Sequence, residues 1–170
     1  MAAPMKKVIL LAGAGGAGKS TIAELISQKH NYVLIDGDHE DSEFFPDGDQ
    51  WLPENSKKLA RAHDKILSKA QAIVSQGKKV VVDYIVFGRY LEYFEKFRKS
   101  FGDDLQICVL FPSEAETVKR DKDRECWTTG ADRISVVRCE LEMIKDRVGA
   151  ENFIDTSGQS PEETVKRYFF

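Results

Sequence analysis

The run Gly13-Ala14-Gly15-Gly16-Ala17-Gly18-Lys19-Ser20 constrains this chain more than any other feature. It satisfies G-x-x-x-x-G-K-[ST] at every fixed position, and its flanks fit. Lys7 to Ala12 is apolar enough for a buried strand. Thr21 to Ser27 reads as an amphipathic helix, with Ile22, Leu25, Ile26 and Lys29 at helical spacing. Glycine lets successive amides turn inward around an anion, and a helix that begins at the anion adds free N–H donors and the positive end of its dipole. Lys19 is expected at the β- and γ-phosphates of a nucleoside triphosphate, with the Ser20 hydroxyl as a Mg²⁺ ligand. The nucleotide-binding set is therefore Gly13, Ala14, Gly15, Gly16, Ala17, Gly18, Lys19, Ser20 and Thr21. The plain alternative is a Gly-rich turn that binds nothing, and the flanking strand and helix weigh against it.

Beyond this run, apolar segments and helical stripes alternate along the chain. Residues 32–36, 80–83, 105–111 and 152–155 read as further strands. Between them, Leu59, Ala62, His63, Ile66, Leu67, Ala70, Ile73 and Val74 form one helical stripe, ended by Gly77. Tyr90, Phe94, Phe97 and Phe101 form a second, closed by Gly102. Ile134, Val137, Leu141, Ile144 and Val148 form a third. Ser113 with Glu116 reads as a capping box, and Ser160-Pro161-Glu162-Glu163 opens the last helix. Pro46, Asp47-Gly48 and Pro53 mark residues 39–52 as loop. The alternation predicts one α/β domain over 1–170, with a five-stranded parallel sheet and helices on both faces. Ligands in such sheets bind at the carboxyl ends of the strands, which gathers residues 13–20, Asp36, Asp38 and Asp83 onto one edge.

Charge and composition narrow the partners. A net charge of −3 with no basic tail argues against general nucleic-acid binding. No apolar run approaches the ~20 residues of a membrane span, and the first residues lack a signal peptide's layout. Cys108, Cys126 and Cys139 have neither metal-type nor redox spacing. Cys108 reads as a small core residue and the others as free thiols, so a reducing cytoplasm is the expected setting.

Several side chains could do chemistry. Asp83 ends an apolar strand, where an acid can hold Mg²⁺ directly or through water, or merely cap the strand. Asp36 and Asp38 flank Gly37; in an extended dipeptide they point in opposite directions, so one can face metal and phosphates while the other faces a second substrate. Asp38 is then the candidate base for a phosphoryl acceptor and Asp36 a metal-side ligand, the alternative being an Asx turn after a strand. Arg120 and Arg124 share a helix face and, with Arg133, could stabilise a transferring phosphoryl group as parts of a cover. Asp121, Asp123 and Glu125 interleave with them, so a solvated charged face is the competing reading. Tyr84, Arg61 and Arg89 could touch substrate, Tyr84 by stacking and the arginines by holding an anionic group. Closing a small core and a surface role are the respective alternatives. His63 lies on an apolar stripe and reads as a satisfied core histidine.

These residues resemble the small P-loop kinases of metabolites: shikimate kinase, gluconate kinase, the chloramphenicol phosphotransferase-like proteins and, more distantly, adenylate kinase. The layout is similar over nearly the whole chain, although only short motifs match closely. Asp36-Gly37-Asp38 looks like the family's Asp-x-Asp, which implies a metal-side first acid and a second that engages the acceptor hydroxyl. Residues 120–133 resemble its arginine-bearing lid, and 152–163 its closing strand, nucleotide-base loop and last helix. The resemblance puts Thr156 and Ser157 near adenine. The sequence departs from the family after Asp83, where Tyr84-Ile85-Val86-Phe87-Gly88-Arg89 replaces the glycine-rich turn of shikimate kinases.

The expectation is an ATP- and Mg²⁺-dependent kinase of a small metabolite, monomeric or homodimeric, independent of nucleic acid and membrane. A nucleoside or nucleotide kinase is the alternative acceptor class. A nucleotide-dependent switch without a small acceptor is the alternative from another class. A guanine-specific switch is disfavoured, because no Asn-Lys-x-Asp follows a strand.

Overall fold

Short apolar runs bounded by turn residues become strands: β1 Val8–Ala12, β2 Tyr32–Asp36, β3 Lys79–Asp83, β4 Leu105–Leu110 and β5 Phe153–Ile154. The computed structural model describes residues 5–124 and 128–170. In it the strands run parallel in the order β2-β3-β1-β4-β5. The helices are α1 Lys19–His30, α2 Gly37–Asp41, α3 Ser56–Ser75, α4 Tyr90–Phe101, α5 Glu114–Lys122, α6 Ala131–Met143, α7 Lys145–Val148 and α8 Pro161–Tyr168. This is the expected single-domain α/β architecture.

Side chains alternate along a strand, so β1 divides its residues between two cores. Val8, Leu10 and Ala12 meet Ile66 of α3, Phe94 and Phe97 of α4, and Ile134 and Val137 of α6. Ile9 and Leu11 meet Ile22, Ala23 and Ile26 of α1 and Val165 of α8. Ala23 completes the buried face of α1, while Lys29 stays exposed. Because β1 is buried along its whole length, the loop that follows it rests on the most rigid part of the sheet. Cys108 is buried, Cys139 is an exposed free thiol, and Cys126 lies outside the described residues.

Four expectations need correction. Residues 39–52 do not begin as loop: Gly37–Asp41 form a helical turn, N-capped by Asp36 Oδ1, which accepts from His39 N at 3.2 Å. The stripe from Ile134 to Val148 is not one helix but breaks at Ile144. Arg98 of α4 binds the carbonyls of Arg147 and Val148, drawing the last turn towards itself. Only half of the Ser113 capping box forms, because the Glu116 carboxylate turns to Arg120 Nε at 3.0 Å. Asp121 is no part of a solvated face; it is buried and accepts the amides of Thr129 and Gly130 at 2.9 and 3.0 Å.

Two buried titratable groups support the edge where the strands end. His63 Nε2 donates to Val86 O at 3.0 Å, the role of a satisfied core histidine. Burial, partly offset by that bond, lowers its pKa to about 4. Asp41 is raised to about 6 by burial, opposed by hydrogen bonds from Tyr84 and Gln50. The neutral imidazole therefore stabilises the fold above its ordinary value of 6.5, and this contribution is lost as pH falls towards 4. The protonated Asp41 contributes below its ordinary 3.8, a contribution lost as pH rises through 6.

Phe94→Ala empties a fully buried ring position and should lower unfolding free energy by about 3–5 kcal/mol in urea titrations; a loss near zero would contradict the described core. Between about pH 4 and pH 7, the stability advantage of wild type over His63→Gln should grow with pH, and that over Asp41→Asn should shrink, each by about 2 kcal/mol. Parallel slopes for the two differences would contradict the assigned environments.

Candidate active site

The carboxyl ends of the strands meet at a cleft of about 340 Å³. Its floor is the loop between β1 and α1. Gly16 adopts φ 82°, and a Cβ there would fall 2.5 Å from Thr117 O, so the loop can lie this close under α5 only with glycine. Lys19, only 8 % exposed, donates from Nζ to Ala14 O at 3.0 Å and is thereby folded over its own loop. Burial lowers its pKa, against the opposing pull of Asp83 and Asp38. Ser20 Oγ donates to Asp83 Oδ2 at 2.7 Å. Strand register explains the meeting: Asp83 stands level with Leu11 of β1 on one side and with Asp36 of β2 on the other.

Asp38 lines the opposite lip of the cleft. Its side chain touches water, yet the concave surroundings place it within the protein's volume, and desolvation is the largest influence on it. Lys19 opposes that effect, Asp83, Asp41 and Asp36 add to it, and the pKa is raised to about 7. Such a value suits a group that takes a proton near neutrality.

The cleft brings together residues 15–21, Asp38, Asp83, Arg120, Arg124 and Thr156 of the expected set. Gly13 and Ala14 lie buried beneath the loop. Arg120 is held by Glu116 and donates from Nη2 to Thr156 O at 3.2 Å, joining α5 to the segment after β5. Arg124 pairs with Asp121 Oδ1 at 3.5 Å. By gripping the amides of Thr129 and Gly130, Asp121 also lays that segment against Gly15.

Other expected residues stand apart from the cleft. Asp36 spends its carboxylate on the N-cap of α2, so Asp83 is the acid that faces Ser20. Tyr84 is 0 % exposed and donates to Asp41, which rules out stacking on a ligand in this arrangement. Arg61 lies over the Phe44 ring at 5.7 Å. Arg89 bonds Ser56 Oγ at 2.9 Å and pairs with Glu92. Arg133 lies over Trp51 at 5.3 Å, and Ser157 Oγ accepts from Ser113 N at 2.8 Å.

Sequence reasoning missed Ile85, Gln159 and Thr164, which also line the cleft. No motif marks them; Thr164 Oγ1 donates to Gln159 Oε1 at 3.1 Å, tying the first turns of the last helix to the residue before its cap. The turn after Asp83 carried a signal only in its departure from the family. Val86, Phe87 and Arg89 have φ of 78°, 63° and 48°, a run of left-handed residues that costs on the order of 1–3 kcal/mol each and is held by the His63 bond and by packing.

The donor set suits Mg²⁺. A hydroxyl and a carboxylate, both hard oxygen donors, converge beside amides shaped for phosphate. Among the described residues no group of three or more His, Cys, Asp and Glu forms a cation cage. Such an ion would therefore take much of its coordination from phosphate and water.

Known structures share this architecture. A gluconokinase from Sinorhizobium meliloti is 24% identical, with a TM-score of 0.63 over 98% of this chain and 91% of that one. A shikimate kinase from Acinetobacter baumannii in complex with shikimate is 18% identical, with a TM-score of 0.66 over 95% and 90%. A deoxyadenosine kinase from M. mycoides with bound dATP is 17% identical, with a TM-score of 0.63 over 94% and 95%. At these identities the likeness is one of fold. No curated protein matches the sequence. The sequence model of one family, described as AAA domain, matches residues 8–150, and the chain belongs to that family.

Proposed function

We propose that the protein is an ATP-dependent small-molecule kinase that moves the γ-phosphoryl group of Mg·ATP to a hydroxyl of a small metabolite. The observation that carries this reading is Asp38, a carboxylate across one cleft from Lys19 and Ser20 with its pKa raised to about 7. The acceptor oxygen bonds to the γ-phosphorus, the bond to the bridging oxygen breaks with its electrons left on ADP, and the acceptor's proton passes to Asp38. Lys19 and the loop amides hold the triphosphate, and Arg120 and Arg124 neutralise the charge that spreads over the transferring group. Ser20 and Asp83 would hold Mg²⁺, which when bound offsets phosphate charge. Thr156 flanks the base, and Ser157 braces its loop.

The described residues 120–124 and 128–133 act as a lid that keeps water from the γ-phosphate, with Arg133 bearing on Trp51 instead of on phosphate; residues 125–127 of the expected lid lie outside the described residues. Arg61 and Arg89 are engaged elsewhere, which favours an acceptor without strong negative charge over a nucleotide. The whole of 1–170 is read as one kinase domain. Its setting is a reducing cytoplasm, and it acts as a monomer or homodimer on a diffusible substrate instead of nucleic acid or membrane. Among the described residues no helix is long and apolar enough to cross a membrane.

The test is ADP release from Mg·ATP against a panel of hydroxylated metabolites, nucleosides and nucleoside monophosphates. One compound should raise ADP release well above background and itself gain phosphate. Asp38→Asn should cut that transfer by roughly 10²–10⁴-fold and keep Mg·ATP binding. Turnover unmoved by any acceptor and indifferent to Asp38→Asn would favour the switch.

A further inference from the structure

Tyr84 follows Asp83 directly, yet its ring lies in the core instead of at the cleft. Its hydroxyl donates to Asp41 Oδ2 at 2.8 Å. Among the described residues, the other side-chain hydrogen bonds to Asp41, which is 0 % exposed, are the long ones from Gln50 Nε2 at 3.4 and 3.5 Å. Asp41 is the last residue of α2, the turn that begins at Gly37 and carries Asp38. The same ring also fills the space beside the first residue of that turn. A Cβ on Gly37 would fall 2.4 Å from Tyr84 Cγ and Cδ1. One phenol therefore touches both ends of α2 and is the chain neighbour of Asp83. Its own freedom is small, with His63, Tyr93 and Phe87 rings packed around it at 5.6, 5.8 and 6.0 Å.

A helix of five residues cannot hold its own position, so anchors decide where Asp38 stands. Glu40 ties α2 outwards to Lys65 and Lys69 of α3. Asp36 caps the start of the turn. The Tyr84–Asp41 bond is the anchor that refers α2 to the end of β3, where Asp83 holds Ser20.

We propose that Tyr84 and Asp41 are positioning residues that fix Asp38 relative to the Ser20–Asp83 pair across the cleft. The proposal rests on the reading of Asp38 as the group that activates the phosphoryl acceptor. Neither residue touches substrate. Their effect runs through geometry, and a misplacement of one ångström at a reacting group can cost about a hundredfold in rate.

The test uses the full chain, Mg·ATP and the hydroxyl compound that gains phosphate in the panel above, with transfer to it followed in single turnover. Tyr84→Phe removes one oxygen. It should slow transfer roughly tenfold to a hundredfold, leave the affinity for Mg·ATP unchanged, and lower the thermal midpoint because a buried carboxylate loses its donor. Adding Asp41→Asn to Tyr84→Phe removes that uncompensated charge. The double variant should regain the thermal midpoint and stay slow, a separation that a merely structural role would not produce. If the rate returns together with the midpoint, or if Tyr84→Phe transfers phosphate at the wild-type rate, the positioning role is overturned. Asp38→Asn, run alongside, identifies which claim has failed. A slow Asp38→Asn beside a fast Tyr84→Phe leaves the Asp38 reading intact, whereas a wild-type rate for Asp38→Asn sinks both.

Discussion

A hydrogen bond of 2.7 Å from Ser20 to Asp83 joins the first turn of α1 to the last residue of β3, and the rest of the site is arranged around it. Parallel pairing puts Asp83 level with Leu11, two residues short of the glycine loop, so the acid arrives beside the helix start without any special loop. The buried strand β1 keeps that arrangement rigid, since its alternating side chains are locked into two cores. The bond also sets the electrostatics. Lys19 is buried at some cost, and the carboxylates of Asp83 and Asp38 offset part of it. Acids repel one another on the far lip, and this repulsion, after desolvation, keeps a proton close to Asp38.

The site therefore has two poles of opposite character. One is built from amides, Lys19, Arg120 and Arg124, and suits a triphosphate. The other holds Asp38 with the apolar Ile85 and is acidic and apolar, while Asp83, on the strand between, faces Ser20. The cations that could have reversed this are held elsewhere, Arg89 by Ser56 and Glu92, and Arg61 over Phe44. Strain in the left-handed run after Asp83 is the local cost of turning the chain sharply out of the sheet at this point.

Much of this was legible in the residues themselves. The glycine-rich loop has few physical uses, and strands such as 80–83 are too apolar to be anything but buried. What escaped was whatever depends on contacts between distant segments. Asp36-Gly37-Asp38 reads as an extended dipeptide until Asp36 finds the amide of His39 and winds the chain into a helix. Tyr84, an aromatic beside an acid, reads as a surface for stacking, but α2 covers it and Asp41 takes its hydroxyl. The pattern of the charged run at 120–124 leaves catalytic arginines and a solvated face both open, because it cannot reveal that Asp121 turns inward to grip two amides. The stripe through Ile144 keeps helical period, yet the helix breaks there, and Arg98 of another helix holds the carbonyls of Arg147 and Val148 beyond the break.

The proposed kinase reaction requires the cleft to join a triphosphate cradle to a carboxylate that activates a hydroxyl other than water's. The most direct measurement is ³¹P NMR of the products formed from Mg·ATP in the presence of hydroxylated metabolites. Transfer to such a hydroxyl should give a new phosphomonoester resonance that grows in step with ADP. Inorganic phosphate as the sole new product, whatever hydroxyl compound is offered, would contradict it.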